Sequence, residues 1–103
     1  MSNTDIAQTI LDQMGGANRL YTMIGARNMI ALDGTGGLQF SFKGCRYANK
    51  LVIRLNGLDL YDMTFWKVMR NGEFVQVSES CNVYADQLQD IFIADTGLDL
   101  RIA

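Results

Sequence analysis

Apolar positions along this chain change their spacing, and each change marks an element. Near the start, Ile6, Ile10, Leu11 and Met14 recur at offsets of four, five and eight, which is one face of a helix. Thr4 stands ahead of that face as an N-cap candidate, because its side-chain oxygen accepts an orphan backbone N–H. Gly15-Gly16 supplies the stop, since glycine tolerates the left-handed backbone at a helix end. Ala17 to Ile24 carries Leu20, Tyr21, Met23 and Ile24 and reads as a second short helix closed by Gly25, with an extended reading also open.

The spacing then falls to two. Asn28 to Asp33 reads as a short strand, Gly34-Thr35-Gly36-Gly37 as a turn, and Leu38 to Lys43 as the returning strand of a hairpin. Gly44 to Asn49 is an irregular connection. Leu51 to Leu55, Leu60 to Met69 and Phe74 to Ser78 follow as three strands, joined by the turns Asn56-Gly57-Leu58-Asp59 and Arg70-Asn71-Gly72-Glu73. Beyond Asn82, an N-cap candidate, Tyr84, Leu88, Ile91 and Phe92 share a helical face within Val83 to Thr96, and Gly97 is the stop. Leu98 to Ala103 is a tail. The order predicts one α+β domain over residues 1–103: an antiparallel sheet of about five strands with the N-terminal and C-terminal helices packed on one face.

Alternation in the long strand separates two faces. Tyr61, Met63 and Phe65 belong to the helix-covered core, which leaves Asp62, Thr64, Trp66 and Val68 on the opposite, open face. The chain's only tryptophan therefore falls on an uncovered surface, where large aromatic rings anchor protein interfaces. The competing expectation is that Trp66 caps the core edge or packs on a neighbouring strand. Asp62, Thr64, Trp66 and Val68 are the candidate protein interface.

Composition narrows the function classes. At 103 residues, 49% apolar and 19% charged, the chain buries a core without staples. No apolar run approaches the ~18 residues of a membrane span. Met1 to Asp5 lacks the basic and apolar regions of a signal peptide, so the expected location is the cytosol. Cys45 and Cys81 are in no CxxC spacing and are expected as free thiols. Histidine is absent, which removes the usual neutral-pH base and the commonest zinc ligand. Ser41, Ser78 and Ser80 have no histidine partner, and Gly34-Thr35-Gly36-Gly37 lacks the lysine of a phosphate loop. No catalytic residue, cofactor site or metal site is expected.

Charge is unevenly spread. Six of nine basic residues, Lys43, Arg46, Lys50, Arg54, Lys67 and Arg70, lie in the middle of the chain and form a candidate basic surface. Five acids and no base follow from Glu79 to Asp99, and Asp86, Asp90 and Asp95 are the candidate acidic surface on the last helix. The net charge of −2 and pI near 4.8 run against a nucleic-acid protein, though Arg46-Tyr47 pairs a base with an aromatic ring. The two N-terminal helices offer only Arg19 to a groove, too little for a helix-turn-helix reader.

Thr9 to Gly16, Asn18-Arg19 and Met23 to Ala26, with Lys50 to Leu55, Leu58 to Met63 and Val83 to Leu88 in the same order, cover most of the chain. This series resembles small uncharacterised proteins encoded by bacteriophages, prophages and mobile elements. The resemblance implies that origin and no particular activity. The expected function is a non-enzymatic accessory protein acting by protein–protein binding, one form being inhibition of a host defence complex. The alternatives are a nucleic-acid-binding module using the Lys43–Arg70 surface and a minor structural or assembly protein acting through self-association.

Overall fold

The computed structural model describes residues 3–98. Two helices open the chain, α1 (Asn3–Gln13) and α2 (Ala17–Ile24). Ala7, Ile10 and Leu11 form the buried face of α1, with Met14 buried just past its end, and Leu20 and Ile24 form that of α2. Thr4 lies inside the first turn of α1 rather than capping it, because the helix already includes Asn3. The helical reading of Ala17 to Ile24 is the one the chain adopts. Gly25 closes α2 in the left-handed region, and its N–H reaches back to the carbonyls of Leu20 and Tyr21.

A five-stranded antiparallel sheet follows in sequential order, β1 (Arg27–Leu32), β2 (Gly37–Ser41), β3 (Lys50–Leu55), β4 (Tyr61–Val68) and β5 (Phe74–Val83). The α+β class and the single uncovered face of the sheet follow from the alternation. Leu38, Phe40, Leu51, Ile53, Tyr61, Met63 and Phe65 turn inward and are buried against the helices. Gly37 is fixed by a close approach: a Cβ there would collide with the Ile53 carbonyl on β3.

The C-terminal boundary differs from the sequence expectation. Val83 is not the start of a helix but the last residue of β5, paired with Tyr61. Asn82 is not an N-cap. It sits where the β4–β5 register shifts, in the left-handed region at φ 56°, and its N–H is held by Asp62. Asparagine tolerates that backbone better than most residues, which is why the strand continues through it. A single 3₁₀ turn, Ala85–Gln87, follows, with the Gln87 side chain accepting from the Tyr84 N–H. The last helix, α3, runs only over Leu88–Thr96. Tyr84 is thus exposed and outside the apolar stripe, whose buried members are Leu88, Phe92 and Thr96.

Phe92 joins the layers. Its ring lies 5.2 Å from Phe42, edge-on, and 6.0 Å from Phe65. Leu98 packs partly against the core, whereas the rest of the predicted tail, including Asp99, lies outside the described residues.

Candidate binding face

The hairpin turn Asn56–Asp59 sets the register of β3 against β4. Lys50 then pairs with Trp66, Val52 with Thr64 and Arg54 with Asp62. On β2, Gln39 stands beside Val52 and Ser41 beside Lys50. No described helix covers this side of the sheet, and a depression of about 300 Å³ forms on it. Val52, Thr64 and Trp66 lie among the residues lining the depression, with Lys50 and Arg54 at opposite ends of their strand. Gln39 and Phe74 complete it. No acid is among these lining residues.

Trp66 is half-buried, not fully exposed. Lys50 extends across β4 until its ammonium lies 5.2 Å from the centroid of the Phe74 ring, a cation–π arrangement over the end of the strand. Phe74 itself is 62% exposed. A second recess of about 290 Å³ adjoins the first, with Arg27, Ser41 and Val68 in its walls and Lys50 and Phe74 shared.

The candidate interface residues do different jobs. Thr64, Trp66 and Val68 present themselves to the open side. The Asp62 carboxylate is engaged internally: one oxygen accepts from the Asn56 side-chain amide and the Asn82 backbone N–H, each at 3.1 Å. Asn56 also bonds Asn82 and ties down the N–H groups of Leu58 and Leu60. This polar cluster fixes one end of the sheet.

The basic set does not form one surface. Lys50 and Arg54 share the open face, and Arg54 donates to the Asp33 carbonyl at 3.1 Å. Lys67 alternates to the other side of β4, Lys43 lies along Gly25 behind α2, and Arg46 and Arg70 occupy exposed connections. The acidic set is also dispersed. Asp86 sits in the 3₁₀ turn, Asp90 and Asp95 on α3, and Asp95 accepts from the Ser78 hydroxyl.

Both cysteines are free, Cys45 half-buried and Cys81 exposed. The Cys81 thiol is pushed above its usual range, first by desolvation and then by the negative charges of Glu79 and Asp62. It is therefore held as the thiol, the poorer nucleophile, at neutral pH. Among the described residues no three His, Cys, Asp or Glu side chains gather as a metal site, and no helix is long and apolar enough to cross a membrane.

Phe74, Gln39 and Val52 were not singled out from the sequence. Val52 and Gln39 were accessible through register: once the turn pairs Leu55 with Tyr61, stepping back along both strands puts Val52 opposite Thr64. Phe74 carried no such signal, because the β4–β5 register shifts between Phe65 and Trp66. The chain matches no family model, no curated protein and no solved structure.

Proposed function

We propose that the protein is a non-enzymatic binding protein and that the open sheet face around Trp66 contacts another protein. One observation carries this reading: a sheet covered by helices on one side has, on the other, a half-buried tryptophan and an exposed phenylalanine around an open depression. The resemblance to proteins of bacteriophages and mobile elements supports an accessory role in a bacterial cytoplasm, for which blocking a host defence complex is one concrete form.

A nucleic-acid partner is the second reading, favoured by Lys50 and Arg54 lining the depression together with two aromatic rings. Against it stand the net charge of −2 and Glu79, which pairs with Thr64 on the same face.

Trp66→Ala tests the first reading. The expected result is a fold that survives, with a loss well below the ~3–5 kcal/mol of a fully buried aromatic, and reduced recovery of a partner protein from host extract. Loss of the fold would assign the ring to the core. Undiminished recovery by a folded variant would move the interface elsewhere. Salt-sensitive retention of the native protein on oligonucleotides would favour the second reading.

A further inference from the structure

We propose that Asn71 is a self-modification site, where the chain loses ammonia and becomes aspartate or isoaspartate, while the fold holds its second Asn-Gly pair unreactive. This inference stands apart from the reading of the open face. Two Asn-Gly pairs occur in the sequence. Asn56-Gly57 lies in the turn between β3 and β4, and Asn71-Gly72 in the turn between β4 and β5. Glycine after asparagine has no Cβ to keep its peptide nitrogen from the asparagine side chain. In the reaction the Gly72 amide nitrogen gives up its proton to hydroxide and attacks Asn71 Cγ. The new N–Cγ bond closes a five-membered succinimide. The bond from Cγ to the side-chain nitrogen breaks, and that nitrogen takes up a proton and leaves as ammonia. One water then opens the ring. Attack at Cγ gives aspartate, and attack at the backbone carbonyl gives isoaspartate, whose main chain runs through Cβ and Cγ. The balance needs only water.

Space does not separate the two pairs, since a Cβ at either glycine would meet no atom within 4 Å. Hydrogen bonding does. Asn56 is half-buried and its side chain is fully engaged. The amide nitrogen donates to Asp62 at 3.1 Å and to Asn82 at 2.9 Å, and the oxygen accepts from the N–H groups of Leu58 and Leu60 at 2.8 and 3.2 Å. Turning the carboxamide toward the Gly57 nitrogen opens these four bonds, and the leaving nitrogen is the atom that Asp62 and Asn82 hold. Asn71 is exposed, and its side chain only accepts from the Glu73 N–H at 3.1 Å. The Gly72 N–H donates to the Met69 carbonyl at 3.0 Å, the second bond to open. Among the described residues nothing holds the Asn71 amide nitrogen. The turn also leads into the edge strand β5, where local opening is easiest. Two exposed bonds against four set a rate ratio of at least about tenfold.

The product acts locally. It adds one negative charge to the formal −2 of the chain. Isoaspartate lengthens the main chain inside a turn that the Met69 N–H and Glu73 carbonyl close at 2.8 Å. The adjoining Val68–Phe74 pair is the first to loosen.

The test incubates the full native chain in warm, mildly alkaline buffer and follows both pairs by peptide mapping, with isoaspartyl methyltransferase labelling of the products. A parallel sample is held in urea. In the folded protein Asn71 should react at least about tenfold faster than Asn56. The two rates should converge in urea, because glycine follows both. A more acidic species should grow on ion exchange, and Asn71→Gln should prevent it, since glutamine keeps the amide but closes a six-membered ring far more slowly. Equal rates at the two pairs in the folded protein, or an Asn71 that outlasts Asn56, would overturn the proposal. So would a folded protein in which neither reacts while the urea sample does. A ratio unchanged by urea would overturn it too, because the flanking sequence and not the fold would then set the difference.

Discussion

Asp62 and Trp66 lie on one face of one strand and have opposite relations to the fold. One oxygen of the Asp62 carboxylate is held by Asn56 and Asn82, whereas the half-buried Trp66 ring lines the open depression. Alternation reveals which face a residue takes, but not whether its polar atoms are already engaged. Phe92 is the clearest core residue, fully buried between Phe42 and Phe65. Phe92→Ala should cost about 3–5 kcal/mol in urea or thermal unfolding; a melting temperature equal to that of the native protein would refute this packing. Tyr61 predicts a pH dependence. Burial pushes its hydroxyl above the ordinary 10.0, with the Gln13 side chain opposing and Asp59 adding to the rise. The folded state therefore keeps the proton to higher pH than the unfolded chain. Its stabilising contribution is full below pH 10 and is lost as pH rises through the folded value. Denaturant titrations should show stability falling above about pH 10, less steeply in Tyr61→Phe. An identical alkaline slope in both proteins would exclude Tyr61 as its source.

Among the elements, the two central hairpins were legible because turn chemistry and alternation agree. Asn56-Gly57-Leu58-Asp59 is a turn by composition, and the strands on either side each alternate. The end of β5 was not legible. Asn82 before an apolar spacing of four resembles a helix start, yet its side chain and N–H serve the Asn56–Asp62 cluster across the sheet. Local pattern lost there to a long-range hydrogen-bond network, which carries Val83 into the strand. The Asn56 side chain is central to that network, bonding Leu58, Leu60, Asp62 and Asn82. Asn56→Ala leaves several of these groups without a partner and should cost about 1–3 kcal/mol. Equilibrium urea unfolding measures this. A midpoint indistinguishable from that of the native chain would mean that the loop holds its shape without the side chain.

Across the whole molecule, the sheet topology grades stability from the middle outward. The α+β layering and inward residues could be read from spacing alone, because the meander keeps paired strands adjacent in sequence. The candidate face was only half readable, since Phe74 reaches it through a register shift on β5 and the Lys50 ammonium reaches the Phe74 ring across β4. Those same features make β5 the weak side. It pairs on one edge only, its register shifts twice, and Phe74 to Val77 are exposed. By contrast, β3 and β4 each have neighbours on both edges and place Leu51, Ile53, Met63 and Phe65 in the core. Native-state hydrogen exchange should therefore find the amides of Leu51, Ile53, Met63 and Phe65 among the slowest, opening only with global unfolding. Amides from Phe74 to Val77 should exchange through local fraying at lower free energy. Binding of a partner on the open face would slow the second group, because Phe74 lines the depression. Uniform protection along β5 and β3 in the free protein would contradict the grading. It would mean that the edge is already covered in solution, with self-association as the first thing to measure.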